Sequence, residues 1–335
     1  MKPGGFPERM WRSRVQRAAF VLAAGLALST HVEPGPLPPP AGPEQAALRF
    51  SPVALNEADP GARRVGALLF LEGWAIAGDN ARFGGISALH VADGRVIALN
   101  DAGTVIRFAL PGRGPARVSL DPLPRGPGTP LRKGNRDTEA MRVEGGSMLI
   151  AFERHNMVWR YRLPDLAPLA AARPRTMRRW RTNSGGEAMV RLADGRYLLL
   201  EEGREEGAWS DAVLFAGDPS SAATRSVGLR YRRPPGFRVT DAAMLPDGRL
   251  LLLHRRFALL EGISALLAVA DVRGLRPGAV IEPREIARLE APLTVDNMEA
   301  LSVEVENGRT IVWLASDDNF LQLQRTLLLK FALVE

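Results

Sequence analysis

Residues 185–203, GGEAMVRLADGRYLLLEEG, read as a β-hairpin whose two apolar strands meet at Asp194-Gly195. Asp-Gly is among the strongest short hairpin signals, because both central residues of a two-residue turn must tolerate positive φ. Charge stands at both outer ends, as Glu187 before the first strand and Glu201-Glu202 after the second. A purely structural hairpin has no need of carboxylates at both places.

The explanation begins with repetition. A small residue pair followed by a hydrophobic recurs as Ser87-Ala88-Leu89, Glu139-Ala140-Met141, Glu187-Ala188-Met189, Ala242-Ala243-Met244 and Glu299-Ala300-Leu301. Each leads into a turn: ADGR at 92, VEGGS at 143, ADGR at 193, PDGR at 246 and ENGR at 306. A second apolar strand follows each turn (VIALND, MLIAFER, YLLLEEG, LLLLHRR, TIVWLASDD), and then a third. A unit of about 50 residues built from three or four antiparallel strands predicts an all-β chain, a β-propeller. Counting units gives five blades; six stay open if residues 48–78 contribute more than one strand. The last unit stops at its third strand, so RRVGALLFLEGWAIAG, ahead of the first unit, is expected to supply the fourth and close the ring, hiding two edges.

Ahead of the propeller, expected over residues 48–335, the chain has a different character. RSRVQR followed by AAFVLAAGLALST has the charge and length of a signal peptide, placed at residues 1–30, with an uncleaved N-terminal anchor as the alternative. Residues 31–47 carry EPGPLPPPAGPE, a proline-rich linker. The expected location is therefore periplasmic or secreted, with no membrane span beyond that N-terminal segment. There is no cysteine, which excludes disulfides, thiolate metal sites and a cysteine nucleophile. The net charge of +7 comes from arginine spread along the whole chain, and no nucleic-acid partner is read from it. No G-x-S-x-G elbow, R-H-G stretch or phosphate-binding G-x-x-x-x-G-K-[ST] loop occurs, and four histidines are too few for a histidine-rich zinc site.

In an antiparallel hairpin the start of the first strand and the end of the second lie together. All the charged positions therefore fall on one face of the disc, opposite the turns. The leading set is Asp137 with Glu139, Glu187, Asp241, and Asp296 with Glu299; the trailing set is Asn100-Asp101, Glu153-Arg154, Glu201-Glu202, His254-Arg255 and Asp317-Asp318-Asn319. Carboxylates gathered this way repel unless hydrated, paired with arginine or bound to cations. The repeat places Arg136, Arg154, Arg255, Arg256 and Arg325 to neutralise part of that charge. The competing structural reading is a latch, each carboxylate accepting backbone N–H groups of the next blade.

On FGGISAL…ALND (83–101), RDTEAM (136–141), FERHNMVWRY (152–161), NSGGEAM (183–189) and DNMEAL…SDDNFLQLQRTLLLKF (296–331), the chain resembles the bacterial phytase-like propeller family, described by an esterase-like activity of phytase. The resemblance spans roughly residues 64–333 and implies an exported propeller acting on a phosphate or other ester. The chain departs from the pattern in its fourth unit, where Ala242 stands for the expected acid and Asp241 comes one residue earlier. The expectation is a metal-assisted ester or phosphoester hydrolase acting on a small anionic substrate. Its metal ligands would be Asp101, Glu139, Glu299 and Asp317, holding a divalent ion, calcium or magnesium. Glu187, Glu201 and His254 would be catalytic, and Arg154, Arg255 and Arg325 would hold the substrate. The alternative is a non-catalytic propeller that binds a ligand or protein at the same mouth.

Overall fold

In the computed structural model, which describes residues 42–129, 133–203, 207–259, 261–321 and 323–334, the opening stretch forms the antiparallel pair Gly186–Arg191 and Tyr197–Glu201. The segment expected to be an N-terminal signal or anchor, and most of the expected proline-rich linker, lie outside the described residues. Trp209–Phe215 and Ser226–Arg232 complete a four-stranded meander. Four further four-stranded units share this plan. Their first two strands are Ile86–Ala92 with Arg95–Asn100, Thr138–Glu144 with Ser147–Phe152, Arg238–Met244 with Arg249–Ala258, and Met298–Glu306 with Arg309–Ser316. The five first strands neighbour one another in a closed circuit. The molecule is a β-propeller.

Closure uses the two ends of the chain. Leu68–Gly78 pairs antiparallel with Thr326–Leu333 and supplies the fourth strand of the last unit, as expected. Glu44–Pro52 was not anticipated: the linker was expected to reach residue 47. It pairs with Leu68–Gly78 on one side and Arg117–Pro122 on the other, joining the last and first units into one ten-stranded sheet. Residues 48–78 thus contribute two long strands, and both go into this seam.

The core consists of apolar layers between neighbouring sheets. The Leu250–Leu253 run shows how period-two alternation divides side chains between them. Leu250 and Leu252 pack against the third unit with Tyr231, whereas Leu251 and Leu253 pack against the fifth with Leu314 and Leu329. Burial on both faces explains why the inner strands read as continuous apolar runs.

Each inner hairpin carries a β-bulge at the same place. Ladder pairing skips one residue in every unit: Ser87, Glu139, Glu187, Thr240 and Glu299. These five are structural equivalents, which corrects the sequence alignment of the fourth unit. Thr240-Asp241-Ala242, and not Ala242-Ala243-Met244, corresponds to Glu-Ala-Met elsewhere. Asp241 therefore takes the place of an alanine and leaves the acidic set. It is buried, and it accepts the N–H of Leu301 from the next unit and of Ala242, each at 2.7 Å. This is the latch arrangement. Similar ties run from Ser87 Oγ to the Thr138 carbonyl at 2.6 Å and from the Val91 N–H to Ser302 Oγ at 2.9 Å.

Asp241→Ala would strand two buried N–H donors, at ~1–3 kcal/mol each. Urea denaturation should therefore show a loss on the order of 2–5 kcal/mol, with Asp241→Asn losing less because one acceptor remains. Wild-type stability in the alanine variant would refute the latch.

Candidate functional site: a carboxylate-rich mouth

Two sets of equivalent positions meet at the end of the disc away from the Asp-Gly turns. The bulge residues form the first. The second comprises Asp101, Glu153, Glu202 and Asp317, each just past the end of its second strand, and the equivalent Arg255, which stays in the ladder opposite Arg238. A bulge lifts its residue out of the ladder and re-aims the side chain, and a residue beyond the last ladder pair is likewise free to turn toward the axis. Repetition of both devices around a ring is what gathers the charge.

Three carboxylates from the second unit come closest together. One oxygen from each of Asp137, Glu139 and Glu153 lies within 4.8 Å of the others, the group among the described residues with that geometry. Fully ionised, each pair would repel by on the order of 3–4 kcal/mol at an effective dielectric of 20. Burial, then the charges of Asp137 and Glu202, push the Glu153 carboxyl up to about 8, against an opposing bond from the Gly185 N–H at 3.3 Å. Burial, followed by Glu187, Asp137, Glu153 and Glu299, holds Glu139 well above the ordinary carboxylate range. Glu187 is raised for the same reasons, burial first and then Glu202, Glu153 and Glu299. Asp317 is raised by burial and by the nearby Glu299 and Asp101.

Arginine balances part of this charge. Arg255 lies 2.8 Å from Glu299 and 3.4 Å from Glu202, and it donates to Asn297 Oδ1 at 2.8 Å. Burial opposes its charge, but Glu299, Glu202, Glu187 and Asp317 outweigh that and raise its pKa. Arg238 reaches Glu202 at 3.1 Å, and Arg154 Nε reaches Asp137 at 2.9 Å. The mouth thus carries its densest carboxylate group at the second unit, where Arg154 pairs with Asp137, and a pair of arginines, Arg238 and Arg255, at the fourth.

Several sequence expectations change at this point. Glu187, Glu139, Glu299, Asp101, Asp317, Arg154 and Arg255 all belong to the mouth. Of the four expected metal ligands, however, only Glu139 is in the converging trio; Asp101, Glu299 and Asp317 lie farther round. Glu201 stays in the ladder opposite Gly186 and continues the Leu199 face, which packs between neighbouring sheets. It accepts the Asp211 N–H at 3.2 Å and the Ser184 hydroxyl at 3.4 Å, and its neighbour Glu202 enters the mouth instead.

The same parity removes His254 from the site. It pairs with Val239, continues the Leu250–Leu252 face and is fully buried. Its Nε2 meets the Tyr231 hydroxyl and its Nδ1 meets the Leu266 carbonyl at 3.2 Å. Arg325 is at the periphery, 3.6 Å from Glu57. Two other arginines expected to neutralise the mouth are engaged elsewhere: Arg136 donates to the Pro127 carbonyl at 2.7 Å, and Arg256 pairs with Glu261. Arg238 is a partner that the sequence did not suggest, and Asp137, Glu153 and Glu202 stood in the leading and trailing sets without a ligand or catalytic role. Their signal was the bulge register, which places one trailing residue per unit at the axis.

Burial lowers the His254 pKa from 6.5 to about 4, so it is neutral in the fold. A depressed value means that its contribution to stability is present above pH ~6.5 and lost as pH falls through ~4. The fall in melting temperature from pH 7 to pH 4 should be smaller in His254→Phe than in wild type. Equal falls would show that the ring does not stay neutral in the fold.

Residues 81–320 match the family described as "Phytase-like: Esterase-like activity of phytase". The chain belongs to this family. The phytase-like assignment supports an enzyme-like propeller of hydrolase type. No sequence among the curated proteins compared matches the chain. Among solved structures, similarity extends to glutaminyl cyclase of Myxococcus xanthus, at 10% identity and a TM-score of 0.48, covering 80% of this chain and 97% of that one. Hydrazine synthase of Kuenenia stuttgartiensis aligns at 11% identity and a TM-score of 0.37, covering 72% and 59%. No helix among the described residues is long and apolar enough to cross a membrane.

Proposed function

We propose that this phytase-like propeller is an exported, cation-assisted hydrolase of a phosphate ester or other anionic ester, with its site at the carboxylate-rich mouth. The observation that carries the reading is the convergence of Asp137, Glu139 and Glu153 within 4.8 Å, at a mouth that also holds Arg154 and Arg255. The trio fits a divalent ion of the hard class. All three donors are carboxylates, which suits calcium or magnesium and not a nitrogen- or sulfur-preferring metal. Burial first, and then acidic neighbours, raise the pKa of Glu139 and Glu153, and a bound cation would offset the second of these causes. Such an ion, when bound, polarises an ester oxygen and lowers the pKa of bound water.

The residues themselves supply the rest. Arg255 and Arg154 orient the anionic group and stabilise charge developing on it. Glu187, whose pKa is raised by burial first and then by its acidic neighbours, is the residue that would give a proton to the leaving oxygen. Glu202 and Glu299 hold the Arg255 guanidinium in position from two sides. Export rests on the RSRVQR and AAFVLAAGLALST segment.

The test pairs thermal melting in calcium, magnesium or manganese with turnover of p-nitrophenyl phosphate, phytate and p-nitrophenyl acetate. A divalent ion should raise the melting temperature, and turnover should fall by ~100-fold or more in Glu187→Gln. No thermal shift and no turnover would leave the mouth as a binding surface.

A further inference from the structure

The opposite face of the disc holds a second site. Where the last unit meets the first, beside the turns at Asp93-Gly94 and Asn307-Gly308, a cleft of about 390 Å3 opens between the two sheets. That volume falls in the range of small-molecule sites, ~300–1,000 Å3. The carboxylate mouth lies at the other end of the same strands, so this cleft is independent of the proposed hydrolytic centre.

Its chemistry is specific. Trp74, half-buried, lines it and stacks on Trp313 with ring centroids 6.5 Å apart at 17°. Lys330, only 9% exposed, places its ammonium 5.1 Å over the Trp313 ring. That ammonium is also 2.7 Å from Glu306 and 3.4 Å from Glu72. Glu304 accepts the Trp313 indole N–H at 2.8 Å. Arg113 closes the rim, 3.6 Å from Glu306.

Charge decides which ligand fits. The cleft is lined by four carboxylates, Glu72, Asp93, Glu304 and Glu306, against two cations, Arg113 and Lys330. An anion meets that negative excess, and a cation must displace Lys330 or Arg113 from partners they already hold. A neutral ligand rich in hydroxyl groups breaks no ion pair. Its hydroxyls donate to the spare carboxylate lone pairs and accept from the ammonium, while its C–H face packs on the exposed part of the Trp74 indole. We propose that this cleft binds a neutral saccharide of one or two rings, free in solution or as the end of a polysaccharide.

Saturation-transfer NMR on the full chain with glucose, maltose, cellobiose and N,N′-diacetylchitobiose tests it, with calorimetric titration of any sugar that responds. Co-sedimentation with insoluble cellulose and chitin separates a free sugar from a polymer end. At least one sugar should show transfer, and affinity should fall tenfold or more in Glu72→Gln and in Trp74→Ala. Glu72 is exposed, so its variant reports even if loss of the indole disturbs the seam. The mouth variant Glu187→Gln should bind the sugar as wild type does, so failure of the hydrolase reading leaves this result intact. Absence of transfer from every sugar and polymer, undiminished affinity in Glu72→Gln, or a preference for choline, spermidine or inorganic phosphate would overturn the proposal.

Discussion

In metal-free buffer at pH 8.5, Glu153→Gln is expected to melt above the wild-type protein by roughly 5–10 °C, the equivalent of a few kcal/mol. The sign follows from the direction of the shift. Burial and the adjacent Asp137 and Glu202 charges raise the folded-state value from 4.5 to about 8. The folded protein therefore holds a proton that the unfolded chain has released. Stability from this group is complete below pH ~4.5 and is lost as pH climbs through ~8. Glutamine has no charge to impose, so the variant escapes that loss and should melt with wild type near pH 5. Calcium added at pH 8.5 should reverse the order, because wild type keeps all three carboxylates and the variant two. Differential scanning calorimetry at the two pH values, with and without calcium, reads all of this. A variant that melts lower than wild type at pH 8.5 without metal would mean that Glu153 serves mainly to accept the Gly185 N–H.

Removing the central cation should be more damaging. Arg255→Met leaves the buried Glu202 and the half-buried Glu299 without the guanidinium that lies 3.4 Å and 2.8 Å from them. Stranding buried carboxylates in this way costs about 3–5 kcal/mol. Urea denaturation at pH 7.5 should show that loss, and further replacement of Glu202 and Glu299 by glutamine should recover most of it. The rescue separates charge from packing, because the triple variant lacks the arginine but also lacks the charges it neutralised. If the triple variant stays as unstable as Arg255→Met, the arginine acts through its bulk and its bond to Asn297, and not as a counter-ion.

The hairpin plan was legible in the sequence because its signals are local. Asp-Gly and Asn-Gly turns, apolar runs and a constant unit length all follow from backbone geometry within a few residues. The gathering of charge on one face was legible for the same reason, since antiparallel pairing alone puts Glu187 and Glu202 together. What was not legible is which of two adjacent residues points to the axis. Glu201 against Glu202, and His254 against Arg255, is a question of parity, and one bulged residue inverts the answer. The bulge has no signature of its own: Ser87, Glu139, Glu187, Thr240 and Glu299 share a position but no side-chain type. In the fourth unit the likeness of Ala243-Met244 to the Ala-Met of other units drew the alignment to Ala242, when the residue equivalent to the glutamates is a threonine.

The seam has a consequence for the order of assembly. Glu44–Pro52 and Leu68–Gly78 leave the ribosome well before the strand that Leu68–Gly78 must hydrogen-bond, Thr326–Leu333. The circle cannot be fastened until that later strand has emerged, and its most distant partners in sequence are the ones that lock it. Contacts of such separation slow folding, so the chain stays open and threadable until Thr326–Leu333 is available.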